Sequence, residues 1–122
     1  LIIYNQFMFF KKDNGIKEIN SLELNNMIKE EKDMILLDVR RYEEWSQTGI
    51  IKDSLMVTNT NLIAEMQQGL NLNKDKPVIA ICRSGQRSMQ VAKYLHAQGI
   101  EAINLKGGIV DWLNNQFEVE QI

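Results

Sequence analysis

The sequence predicts an α/β domain built on a mainly parallel sheet. Two short continuous apolar runs, Met34 to Val39 (MILLDV) and Pro77 to Ile81 (PVIAI), suit strands buried on both faces. Segments with apolar residues at helical spacing stand between the strand candidates over short connections, the pattern of right-handed β–α–β crossovers. The composition, 122 residues with 44% hydrophobic and 25% charged, fits one domain that buries a core without metal or disulfide staples.

The elements follow in order. Leu1 to Phe10, LIIYNQFMFF, lean apolar, but they are too few to span a bilayer and Asn5 and Gln6 interrupt them. They are expected to pack on the domain or on a partner copy, a clipped signal or membrane anchor being the alternative. The polar turn Lys11-Lys12-Asp13-Asn14-Gly15 then divides residues 1–14, an N-terminal extension, from a domain over 15–122. Ile16 to Ile19 reads as a short strand, and Ser21 as the N-cap of a helix carrying Leu24, Met27 and Ile28 and ending near Lys32. After the MILLDV strand come a helical turn over Arg41 to Ser46, a short strand Leu55 to Val57 and a short helix Leu62 to Gln68. The PVIAI strand has proline at its tolerated first position, and Cys82 stands at its end. Gln86 to Gln98 forms a helix stopped by Gly99, Ala102 to Leu105 a further strand, and Gly107-Gly108 a turn into a last helix through Trp112. If the strands run parallel, the ends at Asp38, Cys82 and Leu105 share the sheet edge where such folds bind ligands.

Charge and cysteine content restrict the chemistry. Fourteen basic against sixteen acidic residues give a net charge of −2, with no long-range pull toward nucleic acid or anionic lipid. One cysteine and one histidine exclude an internal disulfide and a Cys-rich zinc site, and no metal or cofactor is expected. Cys82 is therefore either a small buried hydrophobe ending a strand or a reactive group.

The neighbours of Cys82 favour reactivity. The loop Cys82-Arg83-Ser84-Gly85-Gln86-Arg87-Ser88 enters a helix N-terminus, which offers unpaired N–H groups and the positive end of the helix dipole. Gly85 supplies the positive φ that curls the chain around an anion. Two arginines make a poor apolar pocket and a good electropositive one, in which a thiolate is favoured over a thiol. Cys82 is thus the candidate nucleophile, and the N–H groups of Arg83, Ser84, Gly85, Gln86, Arg87 and Ser88 are its cradle. Arg83 and Arg87 are candidate anion ligands, and Ser84 and Ser88 candidate hydroxyl donors.

From Ile16 to Asn115 the chain resembles the single-domain rhodanese-like sulfurtransferases. The resemblance rests on Leu36-Leu37-Asp38-Val39-Arg40 with Glu44-Trp45, on the 82–88 loop, and on Leu105-Lys106-Gly107-Gly108 with Trp112. It implies a three-layer rhodanese-like domain, with a central mainly parallel five-stranded sheet and helices on both faces. It also implies transfer of sulfane sulfur from a donor such as thiosulfate through a Cys82 persulfide to a thiophilic acceptor, cyanide or a thiol. Partners would be the small-molecule donor and acceptor, a protein acceptor being a further candidate, with no nucleic acid and a monomer or homodimer as the state. Where the family usually has Gly-His-Ile-Pro-Gly-Ala, this chain has Gly49-Ile50-Ile51-Lys52-Asp53-Ser54, a change that bears on loop shape.

The remaining residues read as scaffold. Asp38 can bond backbone amides at the sheet edge and Arg40 can pair with Glu44. His96, mid-helix with no second ligand nearby, reads as packing or surface, and Trp45, Trp112, Met27, Met34, Met56, Met66 and Met89 as packing. One alternative is a non-catalytic rhodanese-like binding module or a partner-dependent sulfur relay, though retention of Cys82 argues against the silent module. Another is a Cys-dependent phosphatase or arsenate reductase. Against it, four residues separate Cys82 from Arg87, where a phosphate loop places five. A reactive lone thiol suits a reducing cytoplasm, with an exported or membrane-attached form as the alternative left by the N-terminus.

Overall fold

The computed structural model describes residues 15–72 and 74–122, so the expectation for Leu1 to Phe10 lies outside the described residues. Five strands alternate with five helices: β1 (Lys17–Ile19), α1 (Ser21–Lys29), β2 (Ile35–Asp38), α2 (Tyr42–Thr48), β3 (Leu55–Met56), α3 (Leu62–Gln67), β4 (Val78–Ile81), α4 (Gln86–Ala97), β5 (Ala102–Leu105) and α5 (Gly108–Asn114). The strand order is β1-β5-β4-β2-β3, and every named pair is parallel. The sheet is thus wholly parallel, its only antiparallel companion among the described residues being an isolated bridge between Ile50 and Glu120.

The apolar runs split their side chains between two cores. Leu37, Val78 and Ala80 pack with Leu62 of α3 and Val91, Ala92 and Leu95 of α4. Leu36, Ile79 and Ile81 point the other way, toward Leu24 of α1 and Ile109 and Trp112 of α5. This period-two division makes β4 buried throughout and gives the sheet a helical layer on each face. No helix among the described residues is long and apolar enough to cross a membrane.

Three local expectations are corrected. Asn20, not Ser21, caps α1: its side chain accepts the Glu23 N–H at 2.8 Å, and the Glu23 carboxylate accepts the Asn20 N–H at 2.8 Å. Ser21 instead turns inward and donates to Asp111 Oδ2 at 2.8 Å, joining α1 to α5. The helix stops at Lys29 rather than near Lys32, because Glu31 takes a left-handed φ of 56° and Lys32 N–H bonds back to the Met27 carbonyl. Met56 lies exposed on the edge strand β3, whereas Met27, Met34, Met66 and Met89 pack against the cores.

The segment that replaces Gly-His-Ile-Pro-Gly-Ala folds without the histidine or proline. Gly49, at φ 80°, ends α2, and Ile50 exchanges backbone hydrogen bonds with Glu120. Ile51 is buried, and Ser54 donates to the Ile51 carbonyl through both its N–H and its hydroxyl.

Candidate active site

Parallel strands bring Asp38, Ile81 and Leu105 to one edge, and Cys82 emerges there between β2 and β5. Its side chain reaches into the α3–α4 core and is almost fully covered, so the sulfur lies at the floor of the loop. Polar groups nonetheless converge on it. Gly85, at φ 105°, turns its N–H onto Cys82 Sγ at 3.1 Å, and the buried Ser88 hydroxyl lies 3.2 Å from the same atom. Burial pushes the Cys82 thiol up. The Ser88 side chain and the N–H groups of Ser88, Gly85 and Ser84 outweigh it, and the net shift is downward from 9.0.

The amides face inward because the carbonyls are held outward. The first turn of α5 donates Ile109 N–H to the Cys82 carbonyl at 2.9 Å and Val110 N–H to the Arg83 carbonyl at 3.1 Å. In a trans peptide the C=O and the following N–H point oppositely, so Arg83 N–H and Ser84 N–H are directed away from α5. Gly108 makes this approach feasible: at φ 59°, a Cβ there would overlap the Arg83 carbonyl. The Gly-Gly turn therefore serves the loop as well as its own helix.

The two loop arginines have different surroundings. Arg83 is exposed and borders a cleft between α2 and α5 lined by Arg41, Glu44, Gln47, Val110 and Leu113. Arg87 is half-buried and makes a two-pronged ion pair with Glu44, Nη1 to Oε1 at 2.8 Å and Nη2 to Oε2 at 2.7 Å. Hydrogen bonding from Arg87 is the chief reason that the Glu44 carboxyl falls from 4.5 to about 2. Glu44, with the field of Cys82 and Asp38 added, raises the Arg87 guanidinium above its ordinary value. Of the other loop residues, Ser84 and Gln86 carry exposed side chains, so Ser88 is the serine whose hydroxyl meets the sulfur.

The expected Arg40–Glu44 pair is not formed, because Arg87 takes the Glu44 carboxylate. Arg40 is instead buried and paired with Asp38, Nε to Oδ1 at 2.9 Å and Nη2 to Oδ2 at 2.8 Å. Its remaining donors bond Thr48 Oγ1 at 2.7 Å and the Gly49 carbonyl at 2.9 Å, and reach Glu44 only at its backbone carbonyl, 3.5 Å from Nη1. Asp38 accepts the Arg40 N–H and Trp45 Nε1–H as well, so the bonds run within the β2–α2 unit rather than to amides of a neighbouring loop. Both residues shape the edge, and the hydrogen bonds to Cys82 Sγ come instead from Gly85 and Ser88. Trp45 and Trp112 are buried and His96 is exposed. Among the described residues no His/Cys/Asp/Glu cluster could hold a metal.

Sequence reasoning missed Asn104. It is buried in β5 with its amide N–H groups on Glu18 Oε2 at 2.8 Å and the Gly85 carbonyl at 3.0 Å, and its oxygen 2.5 Å from Ser88 Oγ. The available signal was an amide inside the otherwise apolar strand Ala-Ile-Asn-Leu, since a buried polar group requires partners.

Known proteins agree with this architecture. Residues 21–115 match the Rhodanese-like domain. YtwF of Bacillus subtilis (strain 168), which bears a sulfurtransferase name, is 38% identical over 97 residues, covering 80% of this chain and 90% of its own length. A protein named sulfurtransferase from Allochromatium vinosum is 36% identical over 98 residues, covering 80% and 88%. The crystal structure of a rhodanese-like domain protein from Staphylococcus aureus superposes with a TM-score of 0.74 at 30% identity, covering 86% of this chain and 99% of that one. By the match over residues 21–115 and the identity to the B. subtilis and A. vinosum relatives, this chain belongs to the rhodanese-like domain family.

Proposed function

We propose that this protein is a sulfurtransferase that carries sulfane sulfur on Cys82. The observation that carries the reading is the convergence of Gly85 N–H and the Ser88 hydroxyl on Cys82 Sγ, which favours the thiolate. The sulfurtransferase names of the B. subtilis and A. vinosum relatives support the same chemistry. With thiosulfate as donor, the Cys82 thiolate attacks the outer sulfur, an S–S bond forms to Sγ, and the donor's S–S bond breaks to release sulfite. The negative charge then rests on the terminal sulfur of the persulfide, within reach of the N–H groups of the loop from Arg83 to Ser88. Cyanide or a thiol takes that sulfur and restores the thiolate, so no general base is needed. Arg83, exposed beside the cleft, is the candidate ligand for the sulfonate oxygens. Arg87 contributes fixed positive charge beside the sulfur while bound to Glu44.

Thiocyanate formation from thiosulfate and cyanide, measured beside Cys82→Ser, tests this reading. Turnover by the unsubstituted protein and none by the variant is expected, with one added sulfur in the intact mass after donor treatment. Absence of both turnover and added sulfur, with thiosulfate and with a polysulfide, would overturn it.

A further inference from the structure

Ser88 has one hydroxyl proton and two acceptors within reach, Cys82 Sγ at 3.2 Å and Asn104 Oδ1 at 2.5 Å. The Asn104 amide cannot turn over without loss. Both its N–H groups face acceptors, Glu18 Oε2 and the Gly85 carbonyl, and rotation would set its oxygen against them. It therefore presents only an oxygen to Ser88.

We propose that Asn104 is a positioning residue for the nucleophile, its oxygen being the second resting place of the Ser88 proton. When Cys82 is a thiolate, the hydroxyl points to Sγ. When Sγ is uncharged, as a thiol or as the inner sulfur of a persulfide, the hydroxyl turns to Asn104 Oδ1. The pair follows the charge on the sulfur without breaking a covalent bond. Its persulfide arm rests on the sulfurtransferase reading; its thiol arm does not.

The device has an expected sign. Asn104 competes with the thiolate for one proton, so its removal through Ser88 favours the thiolate and weakens the persulfide. The charged groups around the site are Arg87 with Glu44 on α2, Arg83 in the loop, Asp38 at the end of β2 with its partner Arg40, and Glu18 on β1. All are retained in the variants below.

The test is a thiol titration by ultraviolet absorbance, without donor, on the unsubstituted protein, Asn104→Leu, Asn104→Val, Ser88→Ala and the combinations with Ser88→Ala. The effect of losing Asn104 is measured once with Ser88 present and once in the Ser88→Ala background, and the difference between the two is the quantity read. That difference is expected to lower the midpoint by about half to one pH unit, the size of one hydrogen bond. A difference of zero would mean that Asn104 acts only through the Gly85 carbonyl and Glu18, and one of opposite sign that it aims the Ser88 hydroxyl at the sulfur rather than drawing it away; either would overturn the proposal. Where neither Asn104 variant folds, the Asn104 side-chain amide resonances are followed during titration of the unsubstituted protein and of Ser88→Ala. Their displacement is expected to shrink at least several-fold in Ser88→Ala, and an unchanged displacement overturns the proposal. On loaded protein, the Asn104 variants should discharge sulfur to cyanide several-fold faster. Failure to load at all would count against the sulfurtransferase reading and leave the donor-free titration to decide the switch.

Discussion

Cys82 is set between two opposed effects. Burial favours the neutral thiol, and hydrogen bonds from Ser88, Gly85 and Ser84 favour the anion and prevail. Because the folded-state value is lowered from 9.0, thiolate-dependent reaction with iodoacetamide should rise with pH through a midpoint below 9.0. Ser88→Ala removes the hydroxyl donor and should raise that midpoint by about one pH unit, as expected for a hydrogen bond to a charged group. A titration of alkylation rate checks it, and an unmoved midpoint would mean that the amides alone hold the charge. Cys82, Arg83, Gly85, Arg87 and Ser88 could all be picked out in the sequence because a cysteine, glycine and two arginines at a strand–helix junction imply an anion cradle. The division of labour between the arginines could not, since it depends on Glu44, which lies 43 residues from Arg87.

At the scale of elements, two junctions hold the catalytic edge. The first is the β2–α2 corner, where Asp38 and Arg40 form a buried pair completed by Trp45, Thr48 and Gly49. Asp38→Ala leaves the Arg40 charge buried without its carboxylate, and should cost about 3–5 kcal/mol in a urea unfolding experiment. The second is the contact of the 82–88 loop with the first turn of α5. Gly108→Ala adds a methyl group against the Arg83 carbonyl at a left-handed backbone position. It should cost roughly 1–3 kcal/mol and slow sulfur transfer more than Gly69→Ala, which shares a positive φ, at 112°, but where a Cβ would meet open space. Denaturation midpoints and turnover of the two variants, side by side, check this. The elements themselves were legible because burial on two faces leaves an uninterrupted apolar run, as in Val78–Ile81. Helix ends were less so: Asn20 and Ser21 are both good caps by residue type, and only packing of Ser21 onto Asp111 chose between them.

Across the whole molecule, the Glu44–Arg87 pair ties α2 to α4. Glu44 has a folded-state pKa of about 2 against an ordinary 4.5, so its stabilisation is fully present above about 4.5 and is lost as pH falls toward about 2. Discounted for solvent screening, the effect is on the order of 1 kcal/mol. Glu44→Gln should therefore flatten the acid side of the stability–pH curve; unfolding midpoints in urea at pH 6 and pH 3 check it. By itself, the sequence determined the fold class and the sheet edge at which the candidate nucleophile Cys82 stands, because burial periodicity and loop composition are local properties of the chain. Only the tertiary structure decided which partners the charged and polar groups take. Glu44 goes to Arg87 rather than Arg40, and Asn104 meets Ser88, because hydrogen bonds act over about 3 Å and only parallel packing of β2, β4 and β5 brings such distant residues that close, while Asp38 keeps Arg40, its neighbour two residues on.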